Sequence, residues 1–147
     1  MSMLKEYRFT VARQNFTHIF DDLQRCIPSL VKARKKNETD GVFLNRMLLA
    51  QILEPYKFCV DMRKEEDGSF TAWIEPINDY AMGETEEECR RAAAVAAREF
   101  AEDFIHHPLM FEAKNTQSLI PYALRILLCE SLDDIEHLLF GEDVAEV

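Results

Sequence analysis

The chain has 147 residues, 48% of them hydrophobic, with ten Phe, four Tyr and one Trp but only four Gly and five Pro. That is enough apolar mass for one ordinary domain or two very small ones, and too much for a disordered chain. The net charge of −10 is unevenly placed: residues 1–57 carry ten Lys/Arg against six Asp/Glu, and residues 58–147 carry seven against 21. This excludes a protein that grips a polyanion with its whole surface. It fits a basic contact face joined to an acidic remainder that repels phosphate and attracts a basic protein. The plainer alternative is that the acidity only keeps the chain soluble.

No apolar run reaches the roughly 18 residues of a membrane helix, so no membrane partner is expected. The opening MSMLKEYRF lacks the apolar stretch of a secretory signal, so a cytoplasmic location is expected. Cys26, Cys59, Cys89 and Cys129 form no CxxC pair and read as buried reduced thiols.

In chain order, Tyr7 to Thr10 reads as a short strand, with Thr10 able to cap the next element. Phe16, Ile19, Phe20, Leu23 and Ile27 recur at helical spacing and predict an amphipathic helix of about four turns, ending before Pro28. Ser29–Ala33 and Val42–Leu44 read as strands of a hairpin, with the basic stretch from Arg34 to Gly41 between them. Asn45 is placed to cap a short helix through Met47, Leu48, Ile52 and Leu53, stopped by Pro55. This β-α-β-β-α order in residues 1–55 is too short to bury a robust core alone, so pairing with a second copy is expected.

From Tyr56 the pattern changes. Tyr56, Phe58, Val60 and Met62 alternate with polar residues, as in a half-buried strand. Glu65-Glu66-Asp67-Gly68 supplies turn chemistry. Phe70, Ala72 and Ile74 alternate again, with Trp73 on the other face. Asn78–Gly83 reads as a loop that includes at most a short strand. Thr85 and Glu88 match a capping box opening a long helix, whose apolar face is assigned to Cys89, Ala92, Ala93, Ala96, Phe100 and Phe104. Two short helices come next, 119–128 with Ser118 as cap and a second opened by Ser131 and ended by Gly141. The last six residues are expected to fray. The acidic tail helices are poor DNA readers, because a recognition helix must approach phosphates. The fold class is therefore α+β: a β-α-β-β-α dimerising module, then an antiparallel ββ(β)α domain (residues 56–147) with two C-terminal helices.

Catalytic constellations are scarce. The sequence has no GxSxG, no phosphate-cradling glycine loop, and no Cys–His pair recognisable by spacing. His106-His107 before Pro108 reads as a polar helix end, with no third metal ligand in reach. His18 and His137 read as exposed or capping. No enzyme, metal or cofactor is expected. The basic residues are more informative: Arg8, Arg13, Lys32, Arg34, Lys35 and Lys36 lie on the first strand, the first helical turn and the hairpin. There they are either phosphate and base contacts or merely solvated.

Phe9-Thr10-Val11-Ala12-Arg13-Gln14-Asn15-Phe16, with an amphipathic helix after it, resembles the opening of Phd/YefM-type antitoxins. Arg34 and Lys35 stand where that family has its basic hairpin pair, and Val42-Phe43-Leu44 matches its next strand. The resemblance covers residues 5 to about 55. It implies a homodimer bound to operator double-stranded DNA, with Arg13, Arg34 and Lys35 as contacts, then Arg8 and Lys36. The hairpin departs from the pattern by being longer and partly acidic. Asp67–Ile74 with Gly83–Glu88 is similar to the HicB-like antitoxin fold over about residues 56–105, with Pro76–Tyr80 in place of its usual Pro- and Cys-containing segment. Together the two halves look like Phd-like antitoxins of RelE/RelB-type systems. That resemblance implies a basic, RelE-like toxin as partner for residues 56–147, at contact residues the sequence does not mark. The alternatives are a stand-alone DNA-binding regulator whose acidic domain senses a ligand or only oligomerises, and an interaction module with no nucleic-acid role.

Overall fold

The computed structural model describes residues 3–107, 109 and 114–141. The chain divides into two compact units, residues 1–52 and 53–147, and its class is α+β.

The first unit holds a three-stranded mixed sheet. Strand β1 (Lys5–Tyr7) pairs parallel to β2 (Ser29–Val31), and β2 pairs antiparallel to β3 (Gly41–Phe43). The first strand sits earlier than the expected 7–10. The single helix expected after it is two, α1 (Phe9–Gln14) and α2 (Phe16–Gln24), broken at Asn15. The break has a local cause: the Asn15 side-chain amide donates to the Val11 carbonyl at 2.9 Å, a side-chain bond that competes with helix continuation. Arg8, not Thr10, occupies the cap position of α1, without a side-chain cap bond. Helix α3 (Arg46–Leu53) is capped as expected: Asn45 Oδ1 accepts from the Met47 and Leu48 N–H groups at 2.8 and 3.2 Å. The Asn45 amide also donates to the Leu23 carbonyl at 2.8 Å, tying this turn to α2.

The second unit is larger and better filled. Strands β4 (Cys59–Lys64), β5 (Phe70–Glu75) and β6 (Asp79–Gly83) form an antiparallel sheet in that order. The β4–β5 turn is where the sequence places it, with Gly68 at φ +92°, a conformation natural only to glycine, and Asp67 Oδ1 accepting from the Ser69 N–H at 2.9 Å. Residues 79–83 form a full strand after a tight turn at Pro76–Asn78, more regular than the loop expected there.

Helix α4 (Glu86–His106) packs on β5 and β6. Thr85 Oγ1 accepts from the Glu88 N–H at 3.1 Å, whereas the Glu88 carboxylate reaches back one residue further than a capping box requires, to the Glu84 N–H at 3.1 Å. Its buried face is Cys89, Ala93, Ala94, Ala97 and Ala101, with Ala92, Ala96 and Phe100 half-buried beside it. The core face is thus rotated toward the alanines relative to the expected one, because small residues are what allow close approach to a sheet. Gly83 marks the tightest point: a Cβ there would lie 2.4 Å from the Cys89 backbone nitrogen.

Helices α5 (Lys114–Gln117), α6 (Ile120–Leu127) and α7 (Leu132–Phe140) complete the described residues, one more than the two helices expected. Leu119 rather than Ser118 precedes α6 as its cap residue. Ser131 Oγ accepts from the Asp134 N–H at 3.2 Å, and Gly141 ends α7 at φ +79°, both as read from the sequence. Helices α6 and α7 pack on α4, and α7 also reaches β4. The expected fraying of the last six residues lies outside the described residues. No helix among the described residues is long and apolar enough to cross a membrane.

All four cysteines are free, but only Cys89 is fully buried, while Cys26 and Cys59 are exposed. The expectation of buried thiols is corrected for these two. Cys26 sits at positive φ beyond the end of α2, and Cys59 takes an exposed position on β4.

Candidate functional site

In the first unit, helix α1 and the β2–β3 loop carry the cations the sequence singles out. Arg8 precedes α1, and Arg13 stands one turn beyond Phe9 on the same side of the helix. The loop brings Arg34 to this helix: its guanidinium lies over the Phe9 ring, 4.8 Å from the centroid. This cation–π contact fixes the loop against α1. Lys35 and Lys36 continue from Arg34 into the turn, and all five basic side chains are exposed.

Their charges are not equally available. Arg34 forms a two-pronged pair with Glu38, Nη2 to Oε2 at 2.7 Å and Nε to Oε1 at 3.3 Å. The hydrogen bond from Arg34 is the main reason the Glu38 carboxyl is held below its ordinary range. Lys32 is likewise matched by Asp40 at 3.2 Å. Among the described residues, the side chains of Arg8, Arg13, Lys35 and Lys36 make no ion pair or hydrogen bond. Sequence reading placed Arg34 among the first DNA contacts; in the fold its side chain also bridges Phe9 and Glu38. At six residues, α1 is also too short to contribute much dipole for an anion, so any grip on phosphate falls to the side chains.

A third ion pair of this unit is invisible in the pattern. Asp22 is buried, its side chain 6% exposed, and accepts from Arg25 Nη2 at 2.5 Å, with His18 3.9 Å away. The Arg25 bond holds the Asp22 carboxyl below the usual carboxylate range, against the burial that would raise it. The buried apolar cluster of this unit is small: Tyr7, Ala12 and Ile19, with Val31 packed against them. Phe16, Phe20 and Phe43 instead make an exposed aromatic group, with centroids 6.2 Å apart for Phe16–Phe20 and 5.9 Å for Phe16–Phe43.

In the second unit, one face of the sheet is covered by α4. On the other, Trp73 and Tyr80 stack at 6.0 Å and 19°. The sequence placed Trp73 on the outer face but gave no sign of this stack, which needs the cross-strand register Trp73↔Tyr80. Among the described residues no group of three or more His, Cys, Asp or Glu side chains is placed to hold a metal ion.

The first unit thus carries exposed, unpaired cations, and residues 58–147 hold 21 Asp/Glu against seven Lys/Arg. The PHD-like family, described as "Antitoxin of toxin-antitoxin, RelE / RelB, TA system", matches residues 3–141, and the chain belongs to that family. It is therefore the antitoxin of a toxin–antitoxin system and not an enzyme, and a cognate toxin is its partner. The fold agrees with a solved structure from Syntrophomonas wolfei subsp. wolfei, described as the antitoxin part of a candidate toxin/antitoxin system. The TM-score is 0.76 at 25% identity, covering 95% of this chain and 99% of that one. No curated protein matches the chain significantly.

Proposed function

We propose that this antitoxin neutralises a basic ribonuclease-type toxin with residues 56–147. We further propose that, as a homodimer, it represses its own operon by binding operator double-stranded DNA through residues 1–55, the Phd/YefM-like module. The observation that carries the reading is the division of charge. Four unpaired cations, Arg8, Arg13, Lys35 and Lys36, with the partly neutralised Arg34, collect on α1 and its adjoining loop, while residues 58–147 hold 21 carboxylates against seven cations. A cationic patch of this size supplies the salt-dependent phosphate contacts that position a protein on a duplex. The acidic unit, suited to the HicB-like role, covers the cationic groups a ribonuclease needs for RNA.

Two measurements test the two halves. Co-expression with the product of the adjoining reading frame should restore growth that this product alone arrests; continued arrest would discard the neutralisation. On a duplex from the chain's own promoter, the double variant R13A/K35A, which removes two unpaired cations, should bind far more weakly. Its slope of log affinity against log salt should fall by roughly two, about one per lost cation. An unchanged slope would move the DNA contact elsewhere.

A further inference from the structure

We propose that the face of the β4–β5–β6 sheet opposite α4, centred on the Trp73–Tyr80 stack, is where a cationic segment of the cognate toxin docks. This rests on the neutralisation reading above and assigns it a place.

The register builds the face in rows. Asp61, Trp73 and Tyr80 lie side by side across the three strands, with Arg63, Thr71 and Met82 in the next row. Trp73, Tyr80 and Met82 are 41%, 56% and 58% exposed, an unusual amount of apolar and aromatic area to leave in water on the side of a sheet opposite its helix. An open trough of about 470 Å³ runs along it, lined by Asp61, Arg63, Glu65, Thr71, Trp73 and Tyr80.

The carboxylates decide what fits. Asp61 is matched by Arg63 at 3.1 Å. Among the described residues, no cation matches Glu65 or Glu75: Glu65 accepts from the Thr71 hydroxyl at 2.6 Å, and Glu75 accepts from the Trp73 indole N–H. Those neutral donors fix the positions of the two carboxylates while leaving their charge uncompensated. The Glu75 bond also holds the indole in place. The result is a rigid aromatic platform with two oriented negative charges, which suits a Lys or Arg side chain laid over a ring with its head group in reach of a carboxylate. The same charges oppose the phosphates of a nucleic acid that would otherwise stack its bases on Trp73 and Tyr80. Aromatic anchors amid polar surroundings are also where interface binding energy concentrates.

Trp73 is the only tryptophan in the chain, so its emission reports on this face alone. The full chain is titrated with the product of the adjoining reading frame, and in parallel with an octa-arginine peptide and a single-stranded oligonucleotide. Toxin and peptide should both perturb Trp73 emission, while the oligonucleotide should not. The variants W73F/Y80A and E65Q/E75Q, each checked for an unchanged melting profile, should bind the toxin at least tenfold more weakly. The charge variant should also lose most of the salt dependence. Tight toxin binding by the wild type with no loss in either variant overturns the docking face and leaves the neutralisation intact. A wild-type chain that does not bind the toxin overturns both. Perturbation by the oligonucleotide in place of the peptide makes the face a base-stacking surface and overturns the proposal.

Discussion

At the residue scale, the proposed DNA contact turns on which cations already have a partner. Glu38 neutralises Arg34, so replacing it with Gln keeps the hydrogen-bonding shape and removes the opposing charge. E38Q is expected to bind promoter duplex several-fold more tightly than the wild type at low salt, with a steeper salt slope; equal titration curves would mean Arg34 does not face DNA. Asp22 sets the acid limit of the first unit. Its folded-state carboxyl is depressed by Arg25, so its contribution is present above the unfolded value of about 3.9 and is lost as pH falls through the lower folded value. Melting curves between pH 7 and pH 3 should show the first unit weakening below about pH 4. D22N should start less stable and lose less over that range.

At the scale of elements, α4 and the sheet are held by close approach. A methyl group at Gly83 would meet the backbone of Glu88 and Cys89 at 2.4 to 2.9 Å, atoms that cannot swing aside. Gly83→Ala should therefore destabilise the second unit by about 1–3 kcal/mol in urea unfolding; a neutral result would mean that β6 can slide away from the helix. Thr85→Ala removes the cap bond to Glu88 and should cost about 1 kcal/mol. Helix α1 shows the opposite case. Its register and length escape sequence reading because apolar spacing continues smoothly through Asn15, while a single side-chain amide bond ends the helix there.

At the scale of the whole molecule, the two units differ in how well each fills its own core. The second has a continuous cluster around Ile74, Cys89 and the α4 alanines, reaching Ile126, Ile135 and Leu139. The first leaves Phe16, Phe20, Val42 and Met47 between 50% and 72% exposed, and each such side chain adds about 1.5–3 kcal/mol when fully buried. A homodimer through this surface predicts a melting midpoint for the first unit that rises with protein concentration. F16S/F43S should sediment as a monomer and lose promoter binding along with dimerisation. A wild-type chain that is monomeric at micromolar concentration would refute the dimer.

Composition and local pattern were sufficient for the charge division, the α+β class, the turn at Gly68, and the caps at Asn45, Thr85 and Ser131. Each of these depends on residue counts or on side chains within a few positions of one another, so short-range chemistry specifies it. Folding in three dimensions was needed to settle which arginine is already neutralised, that Asp22 is buried against Arg25, that β1 runs parallel to β2, and that Trp73 and Tyr80 stack on the face opposite α4. Those features require strand register or the approach of distant segments, and a linear pattern carries no information about which side chains a folded chain brings within a few ångströms.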